Sequence, residues 1–594
     1  MDDKRIYDTI IKSEPLNKGW SDDKKYCVTT TDGTKYLLRI SPISKYEARK
    51  SLFAILEQVA ALGVPMCMPI EFGICDSGVY IIQSWIKGED LETVLPALSD
   101  TEQYVLGLKA GEILRKIHTV CASDMKSDRP EWAESFDHTV DERIQKYLAC
   151  GLRFENDEYI LAYLEKNRYL IENRPRCFQH GDYCVRNIML ENGEIKIIDF
   201  ERLYFGDPWE DFHFVMLDAP KTPHFTTGLF RGYFNGTPPI EFFQTYAFYV
   251  YSSILPGIYE LDLTDTNEVN RMLKQTQDVL GWFEDIDNKD AWASSSQGER
   301  PASVPKWYLK DFYVQWADGV PYRLKEPYDF SFLSKYGKVF KVFDNSYSGA
   351  ICFGVEKAGK RYFLKFAGAK TFDATCQNIE DIIMMLKISV PKYNDLKHPL
   401  LINQIGAEEI PCGATGGGFI AIYDWFDGEG CGYMHPVAQA KFLALPNEDK
   451  LRVYEGILDF HAHVIERGYI AIDFNNGSTL YNFDTGDFAF CDIDFYAKHS
   501  QISGWSGIWG DPSVKSPEEC RGYSVITEVS NVYTMGAVAF YLFAGDDKVT
   551  REKWTLSEKQ YKVAKKAISE KRSKRQQTIQ QFIKEWREET HDNI

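Results

Sequence analysis

The segment Phe178-Gln179-His180-Gly181-Asp182-Tyr183-Cys184-Val185-Arg186-Asn187-Ile188-Met189-Leu190, followed by Glu194-Ile195-Lys196-Ile197-Ile198-Asp199-Phe200-Glu201, constrains this chain more than any other stretch. Two apolar runs flank a short polar turn, so the pattern is a hairpin, and it carries two acids and an amide. Asp199 ends the apolar strand 195–198, where an ionised carboxylate is expensive unless a cation or hydrogen bonds compensate it. Phosphoryl transfer asks for such a set: a carboxylate to accept the attacking hydroxyl's proton, and oxygen ligands to hold Mg²⁺ against the phosphates. Asp182 suits the first task, and Asn187 with Asp199 the second. Taken singly, Asp182 reads as a turn cap, Asn187 as a loop stabiliser and Asp199 as a strand end. The DxxxxN spacing, with a strand-borne acid beyond it, favours the joint reading.

At 594 residues and 44% hydrophobic content the chain can bury more than one core. The apolar pattern stops between Asn288 and Pro305, where SSSQGERPASVP intervenes. This predicts a domain over 1–287, a linker over 288–305 and a second domain over 306–594. Both sides show a β-rich start, an apolar helix and a strand pair presenting acids, an order that suggests a distant internal duplication. In the first half, residues 26–40 read as a hairpin about Thr31-Asp32-Gly33, and 45–62 as a helix. A strand over 79–85 runs into Ile86-Lys87-Gly88-Glu89-Asp90, and Leu106, Ile113, Leu114 and Ile117 recur at helical spacing. Strands followed by helices imply a two-lobed α+β unit.

A formal charge of −19 argues against nucleic acid as partner, because a polyanion is repelled by the molecule as a whole. The basic run Lys562, Lys565, Lys566, Lys571, Arg572, Lys574 and Arg575 has few aromatics and helical spacing, so it reads as a solvated helix face. His461 and His463 stand two apart on a helical pattern and make a poor metal pair. No uninterrupted apolar run approaches a membrane span, the start of the chain lacks a leader pattern, and thirteen cysteines without a CxxC pair fit reduced thiols. No membrane partner and a cytoplasmic location are expected.

HGDYCVRN followed by IIDFE and GDPWEDF resembles the signature of the aminoglycoside phosphotransferase family, which shares the protein-kinase fold, over about residues 1–290. The resemblance implies ATP and Mg²⁺ as cofactors. It also implies Asp182 as catalytic base, Asn187 and Asp199 as magnesium ligands, Asp211 as support for the catalytic loop, and Ser84-Trp85-Ile86 as the hinge that holds adenine. Kinases of this fold place a lysine on the third strand, in contact with the phosphates and paired with a helix glutamate. Here YLLRI offers Arg39, and Glu47 and Glu57 compete as its helix partner. The helical material over 140–150 and 159–169 can wall in a compact acceptor, and no Ala-Pro-Glu-like element follows Asp199. The expected acceptor is the hydroxyl of a small molecule, an aminoglycoside or an amino-alcohol or sugar.

The second half restarts with KVFKVFDNSYSGAICFGV and a strand closed by Lys365. Then come Asp424-Trp425-Phe426-Asp427-Gly428, an apolar helix through Phe460, Tyr469-Ile470-Ala471-Ile472-Asp473, and Cys491-Asp492-Ile493-Asp494. Ser516-Pro517-Glu518 precedes Asn531-Val532-Tyr533-Thr534-Met535-Gly536. This order resembles a serine/threonine protein kinase over about residues 325–590. The resemblance implies Asp473 as base, Asp492 as magnesium ligand, Lys365 as phosphate contact and a protein Ser or Thr as acceptor. Ser478 stands where an asparagine is expected, Asp494 where a glycine is, and Asn531 where an aspartate is, while the phosphate loop keeps only glycines such as Gly349 and Gly354. A pseudokinase is the other reading; the lysine and the two aspartates favour activity. The whole is expected to be α+β, with two tandem bilobal protein-kinase-like folds acting as an ATP-dependent phosphotransferase. The alternatives are a catalytically inactive nucleotide-binding scaffold, or a chain in which only the protein-kinase half works.

Overall fold

The computed structural model describes residues 5–16, 23–120, 129–200, 204–261, 265–283, 304–374, 378–413, 416–498, 501–502, 513–521, 524–545, 548 and 550–588. The chain divides into two compact units, Met1–Asp311 and Phe312–Ile594, each mixed α/β. Most of the segment expected as a linker, and Glu201 of the IIDFE motif, lie outside the described residues. The division falls after Asp311 rather than before Lys306 because Val304, Trp307 and Tyr308 are buried in the first unit's core. Arg231 anchors the same segment, donating to the Tyr308 hydroxyl at 3.1 Å, the Leu309 carbonyl at 3.1 Å and the Asp311 carboxylate at 2.6 Å.

In the first unit, Ile10–Pro15, Lys24–Thr30, Lys35–Ser41, Pro69–Cys75 and Gly78–Ser84 form one antiparallel sheet. The last two are exchanged in spatial order, so that Gly78–Ser84 lies beside Lys35–Ser41. The turn after Thr30 is closed by Gly33 at φ +83°, and the resulting register sets Lys25 opposite Arg39. Helix Tyr46–Ala61 buries Leu52, Leu56 and Val59. A small cluster of Val28, Leu38, Tyr80 and Ile82 lines the other face of the sheet. The large core lies among the helices, of which Ile240–Tyr259 is buried along most of its length and lined with phenylalanine and tyrosine.

Helix Asp100–Ile117 begins in a capping box formed by Ser99 and Glu102. It meets helix Pro223–Phe234 through four glycines. A Cβ at Gly107 or Gly111 would land on the carbonyl oxygen of Phe225 or Leu229, and one at Gly228 or Gly232 on that of Tyr104 or Leu108. The two helices therefore touch backbone to backbone, which only glycine allows.

The acid-bearing hairpin forms as its sequence predicts, from Ile188–Glu191 and Glu194–Ile197. Asn192 and Gly193 turn it at φ +54° and +78°, the pair of positive values that a two-residue type I′ turn requires. It is tied to the sheet-bearing part by Glu89–Asp90, which pairs with Leu190 and Met189, and by a bridge from Met66 to Ile197.

The second unit opens with the hairpin Tyr313–Ala317 and Val320–Leu324. Its main sheet of Lys338–Phe343, Ile351–Lys357, Lys360–Ala367, Gln404–Gly413 and Gly416–Asp424 repeats the strand order of the first unit's sheet. Helix Ile379–Asp395 follows the third strand, and helix Asn447–Glu466, the hairpin Thr479–Tyr481 with Phe488–Phe490, and helix Glu528–Ala544 build the rest. Here too a cluster against the sheet is distinct from a larger helical one. The basic run is not uniformly solvated: the lysines are exposed, but Arg575 is 2% exposed and pairs with buried Glu518 at 2.7 and 3.1 Å. No helix among the described residues is long and apolar enough to cross a membrane.

Candidate active site

The loop after Phe178 is held by one buried carboxylate. Asp211, fully buried, accepts the backbone amides of His180 and Gly181, each at 2.8 Å, and lies 3.2 Å from His118 Nε2. His118 in turn meets the Tyr233 hydroxyl at 3.0 Å through Nδ1. Burial alone would raise Asp211, but the His118 contact and the Gly181 amide hold its pKa below the usual carboxylate range. Gly181 takes φ +80°, which turns the chain so that Asp182 follows on a half-buried loop. The His180 ring then bridges the two acid-bearing stretches. Its Nδ1 accepts the Asp182 amide at 3.3 Å and its Nε2 donates to the Ile198 carbonyl at 2.9 Å, which assigns the proton of the neutral ring to Nε2.

Asn187 closes the loop. Its Nδ2 donates to the Asp182 carbonyl at 2.9 Å, and its carbonyl accepts the Ile198 amide at 3.0 Å. Asp182, Asn187 and the residue before Asp199 thus share one hydrogen-bonded frame. The Cys184 thiol, pushed up to about 12 by burial, donates to Asp182 Oδ1 at 3.5 Å.

Asp199 adopts φ +68°, a left-handed conformation that non-glycine residues hold only where the surroundings demand it. Its Oδ1 accepts from Arg39 and from Lys25, each at 3.1 Å. Neither helix glutamate reaches Arg39, since Glu47 and Glu57 are both exposed. The helix instead turns Arg49 inward, 2.7 Å from Asp23 Oδ2, and Asp23 also accepts from the Ser41 hydroxyl at 2.6 Å and lies 3.6 Å from Arg39. The expected lysine–glutamate pair is replaced by two arginines sharing an aspartate that precedes the second strand. Lys25, Asp23 and Arg49 escaped the motif reading. The register of the first hairpin was the one signal that placed Lys25 beside Arg39.

The proposed hinge leaves the sheet at Ser84, whose amide and hydroxyl bond the Met68 carbonyl and amide, each at 2.9 Å. Trp85 is half-buried and Ile86 buried, and Gly88 packs so closely on the Leu190 carbonyl that a side chain would collide with it. The hinge is therefore seated directly on the acid-bearing hairpin. The oxygen donors fit a hard divalent cation. With Asn187 Nδ2 bonded to the loop, its Oδ1 is the end that would bind a cation, and Asp199 would add a carboxylate. Among the described residues no cluster of three or more His, Cys, Asp or Glu side chains forms a metal cage. A metal at this site would thus take its remaining ligands from phosphate and water.

Residues 12–243 match the family model of the phosphotransferase enzyme family. The matched stretch contains Asp182, Asn187, Asp199 and Asp211, and it makes the first unit a kinase-class phosphotransferase. Solved structures similar to the chain include an aminoglycoside-3′-phosphotransferase of type VIII, 17% identical over 41% of this chain and 93% of its own, with a TM-score of 0.29. The gentamicin complex of APH(2″)-IIa is 18% identical over 45% and 91%, at 0.34. A thermostable mutant of APH(4)-Ia in apo form is 17% identical over 46% and 96%, at 0.33. No curated protein matches the sequence.

Next to the phosphotransferase unit's loop, burial pushes the Glu210 carboxyl up to about 8. It accepts from Gln179 Nε2 at 3.2 Å and from the Tyr204 hydroxyl at 3.4 Å. The folded protein therefore keeps a proton here that the unfolded chain releases in the usual carboxylate range, so this group costs stability progressively as pH rises towards about 8. Glu210→Gln retains the acceptor and removes the titration. Its melting temperature is expected to exceed the wild type's at pH 9 and to approach it below the usual carboxylate range, at about pH 3.5, measured by calorimetry.

In the second unit, Asp473 and Asp492 take φ +65° and +59°, as Asp199 does. Asn531 bonds both the amide and the carbonyl of Ala471, at 3.0 and 2.6 Å, holding that loop as Asp211 holds its own. Lys365 reaches Asp492 at 3.2 Å and Asp494 at 2.6 Å, and these carboxylates raise the buried ammonium well above its ordinary value against the opposing effect of burial. Ser478 is buried, with its carbonyl accepting the Cys491 amide at 2.9 Å and its hydroxyl the Asn475 amide at 3.5 Å. Lys515 lies 3.4 Å from Asp473 Oδ1.

Proposed function

We propose that the first unit moves the γ-phosphoryl group of ATP to a hydroxyl of a small molecule. The observation that carries this reading is the shared frame of Asp182, Asn187 and Ile198–Asp199, in which a candidate base and two candidate metal ligands are fixed by His180, Asn187 and Asp211. Asp182 accepts the acceptor hydroxyl's proton as its oxygen attacks the γ-phosphorus and ADP leaves. Asn187 and Asp199 would hold Mg²⁺, which neutralises developing charge on the phosphates when bound. Ser84, Trp85 and Ile86 are the proposed hinge for adenine, and Arg39 braces the loop that carries Asp199. The acidic balance of the chain suits a cationic acceptor, an aminoglycoside or an amino-alcohol.

For the second unit we infer the same bilobal kinase-like fold, supported by the repeated strand order and the paired left-handed aspartates. The buried Ser478 offers a hydroxyl already bonded to its own loop where an amide ligand is expected, and Lys515 sits on the candidate base. These features favour a nucleotide-binding partner domain that uses Lys365 and Asp492 over an efficient protein Ser/Thr kinase.

The test is incubation with γ-labelled ATP and Mg²⁺, alone and with amino-sugars and amino-alcohols, of wild type, Asp182→Asn and Asp473→Asn. Label on a small molecule is expected, lost with Asp182→Asn and kept with Asp473→Asn. Label on protein that disappears only with Asp473→Asn would make the second unit the working enzyme. Bound ATP without any transfer would make the chain a scaffold.

A further inference from the structure

The third-strand position that ought to supply a phosphate-contacting ammonium carries an arginine, and that arginine is committed elsewhere. One arm of the Arg39 guanidinium meets Asp199 Oδ1 at 3.1 Å while another lies 3.6 Å from Asp23 Oδ2. Asp23 is itself fixed by Arg49 of helix Tyr46–Ala61 at 2.7 Å and by the Ser41 hydroxyl at 2.6 Å. A planar fork pinned at both ends keeps its place. Arg39 therefore acts as a strut joining the sheet, the helix and the Asp199 loop.

Lys25 stands directly across the strand pair from Arg39, and its Nζ reaches the same carboxylate oxygen at the same 3.1 Å. Its side chain is 12% exposed, so the ammonium is largely removed from water. Unlike guanidinium, an ammonium on a four-carbon stem is a compact point charge that re-aims without losing geometry. We propose that Lys25 is the phosphate-contacting lysine of this phosphotransferase: when Asp199 turns to a metal ion, the Lys25 ammonium passes from that carboxylate to the phosphate oxygens of ATP, while Arg39 stays in its strut. The inference rests on the reading of this site as an ATP site. It goes beyond that reading by moving the phosphate-binding charge from the third strand to the second.

Binding separates the two, measured calorimetrically with Mg²⁺–ATP and with adenosine on the full chain carrying Lys365→Met, which removes the phosphate contact of the second unit's candidate site. Lys25→Met keeps the aliphatic stem and removes the charge. ATP affinity is expected to fall tenfold or more, adenosine affinity to remain at the wild-type value, and Lys25→Arg to recover part of the loss because charge is restored without the ammonium's compactness. Unchanged ATP affinity in Lys25→Met would overturn the inference and leave the ATP site standing. An equal loss of ATP and adenosine would overturn it as well, since a phosphate contact cannot act on a ligand without phosphate. If the Lys365→Met chain with Lys25 intact binds no ATP, the reading of the site and the inference fall together.

Discussion

Asp182→Asn is expected to lower the turnover of the first unit ~10²–10⁴-fold, the span associated with a positioned general base, while KM for the acceptor and the melting temperature stay close to wild type. Asparagine is nearly the same shape as aspartate, and the loop's anchors do not depend on the Asp182 carboxylate. The amide of residue 182 still reaches His180 Nδ1, and its carbonyl still accepts from Asn187. What disappears is a group able to take a proton as the oxygen–phosphorus bond forms, which is felt only in the transition state. Steady-state kinetics on the labelled acceptor checks this. Turnover within tenfold of wild type would show that the acceptor is activated by something other than Asp182.

Asp211→Ala should be the most damaging substitution for both stability and activity, although Asp211 touches neither acceptor nor nucleotide in the proposed site. It strips the acceptor from two buried backbone amides and from the His118 imidazole. Each buried polar group left without a partner costs about 1–3 kcal/mol, so a loss of roughly 3 kcal/mol or more is expected in urea titration. Because the folded Asp211 carboxyl sits below its usual range, its contribution to stability is complete at neutral pH and is lost as the solution is acidified through the folded value. The stability curves of wild type and Asp211→Ala should therefore converge in acid. Parallel curves down to the lowest accessible pH would mean that Asp211 is not held as an anion. Asp211→Asn can accept from the two amides only through one oxygen, and should fall between the two proteins.

The acid-bearing hairpin was legible because it obeys local rules: two apolar runs, a short polar turn between them and acids at fixed offsets. The candidate base and metal ligands followed from those offsets, and Asp211 from the motif beyond them. The helix partner of Arg39 was not legible. Expectation looked for a glutamate on helix Tyr46–Ala61, whereas the fold solves the same electrostatic problem with Asp23 before the second strand and an inward Arg49. That pairing joins residues 26 positions apart through tertiary packing, and no local spacing encodes it. Arg575 hid in the same way. Surrounded in sequence by solvated lysines, it is nevertheless buried against Glu518, 57 residues away. Local periodicity reports which face a residue occupies only when the element is a regular helix or strand, and Arg575 follows a short 3₁₀ turn.

The glycine contact between helices Asp100–Ile117 and Pro223–Phe234 has a bearing on how this enzyme can change over time. His118 closes the first helix, and Tyr233 lies in the last turn of the second. They meet each other at 3.0 Å, and His118 meets Asp211 at 3.2 Å. Where backbones touch, no rotamer can yield, so a single methyl at Gly107, Gly111, Gly228 or Gly232 must separate the helices and carry His118 away from the carboxylate that shapes the Asp182 loop. These four positions therefore tolerate no stepwise change: any replacement for glycine there acts on the seat of Asp211 at once, without touching a residue of the loop itself.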